Sequence, residues 1–200
     1  MGCAVSVIFL LFGLSLSISP VAGQTLKKYP LKSGVIAFEQ TGALGNAKVI
    51  VYFDDYGIRE RHESYDTKGN LTEVRFTDGK NMYKIDHRNS DDKVGWLMGS
   101  GTFGTEMKFE AEPFRKEKQK KKHHYKRLPD MNILGRKCNA YSTESRAGKT
   151  TFAGWNNILL YSEVKTKFGD TLTRAVRFDE NATVSADRFQ VPAGYEVKTP

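Results

Sequence analysis

Cysteine is nearly absent from this chain: two occur in 200 residues, and Cys3 lies in an uncharged apolar opening segment. Cys138 alone remains in the rest of the chain, so no internal disulfide can brace the fold, which must hold by burial. The sequence around it, Lys137-Cys138-Asn139-Ala140-Tyr141, alternates in a way that points the thiol into a core. Imidazole is scarce too, with His62, His87, His123 and His124 only. The adjacent pair His123-His124 points opposite ways on an extended chain and sits among cations, and His62 in Arg-Glu-Arg-His-Glu reads as an exposed strand face, so no metal ligand set is expected. Long hydrophobic runs are missing after the opening segment. That segment, Ala4 to Ser19, carries no charge and is followed by Val21-Ala22-Gly23 before Gln24. It is shorter than the roughly 20 residues a bilayer-spanning helix needs and has the composition of an export signal, expected at 1–23 with cleavage after Gly23. The alternative is a buried N-terminal helix.

Catalytic signatures are missing as well. No nucleophile elbow, phosphate-gripping glycine loop or HExxH occurs, and Ala147-Gly148-Lys149-Thr150-Thr151 has Thr143 where a P-loop needs its upstream glycine, so it reads as a hairpin turn. Asp54-Asp55 and Asp91-Asp92 are paired acids in turns with no nameable cleft partner. No enzyme and no cofactor are expected. Asn70-Leu71-Thr72 and Asn181-Ala182-Thr183 fit the glycosylation sequon, which is common by chance.

What the chain does have is strand after strand. Segments of alternating polarity fall at 34–41, 48–54, 58–65, 72–77, 81–86, 137–144, 149–153, 159–168 and 172–179, with a final extended piece from Phe189 to Val197. Asp78-Gly79 and Gly169-Asp170 read as two-residue hairpin turns between such segments. On the last strand, Leu172, Val176 and Phe178 are expected to share a face with Arg174. The fold class is therefore mainly β, a curved antiparallel meander in one domain over 24–200.

Between Asn89 and Asn132 no strand is expected. Val94 to Phe109 carries Trp96, Leu97, Met98, Phe103, Met107 and Phe109 among glycines, and these apolar groups are expected on the concave side of the sheet as fixed filler or as a lid. Arg115 to Arg127 is the opposite: eight of its thirteen residues are Lys or Arg against one Glu, about the whole formal net charge of +8. Such density reads as a solvated loop, or as an attachment to anionic membrane through Lys116, Lys118, Lys120, Lys121, Lys122, Lys126 and Arg127. Nucleic acid is not expected as a partner, because Tyr125 is the loop's only stacking residue.

Several segments, in order, carry a resemblance: Tyr52-Phe53-Asp54-Asp55-Tyr56-Gly57, Thr77-Asp78-Gly79 with Tyr83, Ile133-Leu134-Gly135-Arg136-Lys137-Cys138, Trp155 with Leu160, and Phe189-Gln190-Val191-Pro192-Ala193-Gly194-Tyr195. Together they resemble a family of exported bacterial proteins of undefined role, common in Bacteroidetes, which is in turn similar to the outer-membrane lipoprotein carrier and receptor superfamily. The resemblance implies a half-open antiparallel barrel around short helices, with a cavity for an acyl chain or other lipid, in the periplasm, at the outer membrane or outside the cell. In such a barrel Val51, Phe53, Val74, Phe76, Val164, Val176 and Phe178 would form the cavity, covered by Trp96, Met98 and Phe103. The alternative is a fully packed scaffold or interaction module that holds no ligand.

Overall fold

A computed structural model describes residues 27–43, 45–88, 93–103 and 125–199. Twelve strands form one curved sheet that does not close into a barrel. They are β1 (Gly34–Gly42), β2 (Ala47–Asp54), β3 (Arg59–Tyr65), β4 (Leu71–Thr77), β5 (Asn81–Asp86), β6 (Val94–Ser100), β7 (Lys126–Ile133), β8 (Arg136–Ser145), β9 (Gly148–Trp155), β10 (Ile158–Thr166), β11 (Gly169–Glu180) and β12 (Glu196–Lys198). The order across the sheet is β12-β6-β5-β4-β3-β2-β1-β11-β10-β9-β8-β7. Hairpins walk outward from β1 to β6; the chain re-enters at the far edge with β7 and walks back until β11 pairs with β1. Only β12, parallel to β6, breaks the antiparallel pattern.

The alternating segments all became strands. Two further strands did not announce themselves. Val94–Ser100, expected as filler or a lid, is the ordinary strand β6, whose run of apolar residues and glycines conceals its period. Gly95 faces Ile85 and Val191, where a β-carbon would make ordinary contacts at 3.8 and 3.9 Å. β7 contains Pro129 and many polar groups, which a central strand would not tolerate but an edge strand does. Two turns also differ from expectation. β4 ends at Thr77 and β5 begins at Asn81, so the connection is Asp78-Gly79-Lys80, and Asp78 Oδ1 accepts from the backbone N–H of Lys80 and Asn81, both at 2.8 Å. Thr166 pairs with Gly169, which makes Lys167-Phe168 the turn and Gly169-Asp170 the start of β11.

Register decides which residues share a face, since directly opposed residues point the same way. One row runs Phe178–Ile36–Val51–His62–Arg75–Lys84–Trp96 across β11, β1, β2, β3, β4, β5 and β6. This first face is apolar on β11, β1 and β2 and charged on β3 to β5. The opposite face of β4 and β5 carries Val74, Phe76 and Ile85, all fully buried beneath Val191 and Tyr195 of the C-terminal segment. The buried side of the sheet thus changes between β2 and β4. On β11 a bulge opposite Ala37/Phe38 leaves Val176 as the extra residue, exposed, and puts Phe178 (opposite Ile36) and Arg174 (opposite Glu39) on different faces.

Candidate functional site

The site is built by a turn and a strand. Asp55–Gly57 forms a tight 3-10 turn in which Tyr56 has φ 59° and ψ 30°. The Tyr56 carbonyl accepts from the N–H groups of Lys28 and Tyr29 at 3.0 and 2.9 Å, which lays the N-terminal segment over the first face. Residue 57 must be glycine there. Its φ is 84°, and a β-carbon would meet the Tyr29 ring at 2.5 Å. β3 then supplies an ionisable side chain at each of its first five positions, Arg59-Glu60-Arg61-His62-Glu63. Strand alternation sends Glu60 and His62 to the first face, and Arg61 and Glu63 to the other.

Between these elements lies a cavity of about 290 Å³. Its apolar wall is Ile36, Phe38, Val49, Val51, Ile158 and Leu159; its polar end is Lys28, Glu60, His62 and Arg75; Tyr29, Phe103 and Thr173 complete the lining. Glu60 is 1 % exposed. A lone carboxylate so placed would be strongly unfavourable, and three partners offset that. Lys28 Nζ donates to Glu60 Oε1 at 2.8 Å, His62 Nε2 lies 3.3 Å from Glu60 Oε2, and the Tyr29 phenol is hydrogen-bonded to the same carboxyl. Burial by itself raises the Glu60 pKa, but the His62 and Lys28 contacts outweigh it and hold the carboxyl below the ordinary glutamate range. Burial, then the negative charge of Glu60, push the Tyr29 phenol well above its usual value, so it remains a neutral donor. Lys28 Nζ also donates to the Phe103 carbonyl at 2.8 Å, while the Phe103 ring lies 5.0 Å from that of His62. One ammonium therefore ties three parts of the chain across the polar end.

On the opposite face Glu63, 5 % exposed, is held by Arg61 at 2.7 Å, Arg188 at 3.3 Å and the Tyr65 hydroxyl at 2.6 Å. Burial raises its pKa less than these partners lower it. That cluster anchors the C-terminal segment and does not reach the cavity.

Of the residues expected to form or cover a cavity, Val51 and Phe103 line it. Phe53 is fully buried beside it, its ring 4.9 Å from that of Tyr29. Val74 and Phe76 are buried on the other face of the sheet. Phe178 packs against Phe53 and Trp155, under the Arg136 guanidinium. Val164 is half-buried on β10, whereas Val176 on its bulge, Trp96 and Met98 are exposed. Of the membrane-facing cations, Lys126 and Arg127 open β7, and Arg127 is bonded to Asp130, Asn139 and the Ala140 carbonyl. Lys116, Lys118, Lys120, Lys121 and Lys122 lie outside the described residues, as do Met107, Phe109 and the opening segment 1–23. The residues that sequence reasoning missed are Lys28, Tyr29, Glu60 and His62. His62, taken for an exposed strand residue, lines the cavity with its side chain 34 % exposed. The signal was the density of charge in β3, since a strand with one buried face cannot send every charge to water.

Among the described residues no group of three His, Cys, Asp or Glu side chains is placed to hold a metal ion. No helix among them is long and apolar enough to cross a membrane.

The sequence matches no protein-family model, and no curated protein is similar to it at a significant level. Solved structures do share the fold. An uncharacterized conserved protein from Thermus thermophilus superposes with a TM-score of 0.59 at 8 % identity, over 88 % of this chain and 95 % of that one. The MucA/MucB complex of Pseudomonas aeruginosa gives 0.51 at 12 % identity, over 88 % of this chain and 61 % of that chain. PNGF-II gives 0.50 at 10 % identity over 84 % of this chain, which spans only 31 % of PNGF-II. At these identities the likeness establishes the fold alone.

Proposed function

We propose that this chain is an exported, non-enzymatic envelope protein of the lipoprotein-carrier type, one domain over 24–200, that holds a single apolar chain in the cavity between β1, β2, β3 and β10. The supporting observation is the cavity's division into an apolar wall and a polar end whose charges are already paired, Lys28 with Glu60 and Arg75 with Glu73 outside the lining. A methylene stretch against Ile36, Phe38, Val49 and Leu159 would gain about 0.8 kcal/mol per buried CH₂. An uncharged or weakly polar head would meet His62, Arg75 and Thr173 without displacing the Lys28–Glu60 pair. The volume sits at the lower end of ligand sites, which begin at roughly 300 Å³, and so favours one chain over a diacyl lipid. The basic loop through Lys116–Lys122 would draw the protein to anionic leaflets.

The test is titration with a dansyl amide of an undecyl chain, which carries no charged group. The wild-type chain should take up one equivalent with enhanced, blue-shifted emission, and Thr173→Trp, which fills the rim from a half-buried position, should abolish uptake with an unchanged circular dichroism spectrum. Absence of uptake by the wild type would remove the ligand-holding reading. The second reading, a packed interaction module, is favoured by one observation: Lys28, Tyr29, Glu60 and His62 satisfy one another, so no polar group in the cavity requires a guest. MucB is likewise known in complex with a protein, MucA.

A further inference from the structure

Phe168 is 82 % exposed, far more than any other exposed large hydrophobic side chain among the described residues. Its position is not a fraying end. It is the second residue of the β10–β11 turn, where Thr166 Oγ1 accepts from the Phe168 N–H at 3.1 Å and donates to the Gly169 carbonyl at 3.0 Å. The turn is hydrogen-bonded and the ring stands in solvent, with Lys167 Nζ 4.9 Å from its centroid.

Two further hairpin tips flank it. Lys165 pairs with Lys149, and a β-carbon on Gly148 would meet the Lys165 carbonyl at 2.0 Å, so the β8–β9 turn, Arg146-Ala147, abuts β10. Gly42 pairs with Thr171, the Ala43 N–H donates to the Asp170 carbonyl at 2.8 Å, and a β-carbon on Gly169 would lie 2.7 Å from that of Ala43. Three tips therefore end side by side at one end of the sheet. Lys149 and Lys165 there are paired with Glu144 and Glu163. Arg146 and Lys167, the two turn cations, have no carboxylate partner among the described residues.

We propose that these adjacent tips form a bilayer-docking edge: Phe168 enters the interface of an anionic leaflet while Lys167 and Arg146 contact its phosphates. The chemistry is complementary in both parts, an apolar ring for the acyl boundary and unpaired cations beside it for the headgroups. The cavity's rim residue Thr173 stands four positions from Gly169 along β11, about 14 Å at strand spacing, so docking would bring the apolar wall toward the membrane. This edge uses residues other than Lys116–Lys122 and does not depend on the cavity holding a ligand.

The experiment is co-sedimentation of the full chain with vesicles of phosphatidylethanolamine and phosphatidylglycerol, against phosphatidylcholine alone. Phe168→Ser, a change at an exposed site, should lower the partition coefficient on anionic vesicles about tenfold, and the pair Lys167→Gln and Arg146→Gln should lower it about tenfold or more. Both losses should persist when Lys116, Lys118, Lys120, Lys121 and Lys122 are replaced by Gln. In Phe168→Trp, brominated acyl chains should quench fluorescence beyond the level given by Trp96 and Trp155. Binding by Phe168→Ser within twofold of wild type, equal binding to phosphatidylcholine, or no added quenching would each overturn the proposal.

Discussion

Glu60 sets the character of the polar end of the cavity. Its carboxylate is buried, yet it is ionised, because Lys28, His62 and Tyr29 replace the water it lost. Removing the charge leaves the Lys28 ammonium, 15 % exposed, without a counter-ion. Glu60→Gln should therefore destabilise the protein by about 3 kcal/mol at neutral pH, read as a shift in the urea midpoint. The pH dependence has a definite sign. The folded-state pKa of Glu60 lies below the unfolded value of about 4.3, so the folded protein binds fewer protons. Its contribution is full above that value and is lost as the pH falls through the folded pKa. The midpoint gap between wild type and Glu60→Gln should shrink from pH 7 toward about pH 3; a constant gap would show that the carboxylate is not held ionised by its partners.

Among the elements, hairpins carry the architecture, and their ends are tightly fitted. Gly148 opens β9 at φ 145° with the Lys165 carbonyl where a side chain would begin. Gly148→Ala must move two strands apart and should reduce stability by about 1–3 kcal/mol, with the loss of amide-exchange protection concentrated in β9 and β10. A uniform loss across the sheet would contradict this local account. The alternation of β1, β2, β4 and β5 was plain in the sequence because each of these strands keeps an apolar set on one face, whereas β3 is polar on both. β6 and β7 were hidden for opposite reasons. β6 is apolar or glycine at almost every position, since Gly95 and Leu97 lie on one face and Trp96 on the other. β7 is polar because only one neighbour strand covers it. A period-2 pattern needs one wet face and one dry face, and neither strand has that contrast.

Across the whole molecule, the C-terminal segment completes the second core. Phe189 is 1 % exposed beneath Arg59, and Val191 and Tyr195 cover Val74, Phe76 and Ile85. The Pro192-Ala193-Gly194 turn, closed by the Tyr195 N–H on the Pro192 carbonyl at 3.2 Å, then leads into β12 along β6. The Phe-x-x-Pro-x-Gly-Tyr ending is thus a fastening for the β4–β6 arm. Phe189→Ala should remove about 3–4 kcal/mol, and an apolar dye should report newly exposed surface on that arm. A loss under 1 kcal/mol would mean that the segment rests on the sheet without holding it.

Composition and alternation alone determined that the chain is mainly β and built from hairpins. They also marked the inward side of individual strands such as Val49–Val51–Phe53 and Val74–Phe76, because burial acts on each strand locally and leaves its period in the sequence. Only the tertiary structure decided that those two sets face opposite sides of the sheet. Each register is set by pairing, and the dry face is set by what packs over it: Tyr29 and Leu31 on one side, Val191 and Tyr195 on the other. The same cause hid the cavity's polar end. Glu60 and His62 share a face by strand alternation, but Lys28 and Phe103 lie far from them along the chain and no spacing rule joins the three parts; the turn at Tyr56 and the Lys28 contacts with Glu60 and Phe103 do.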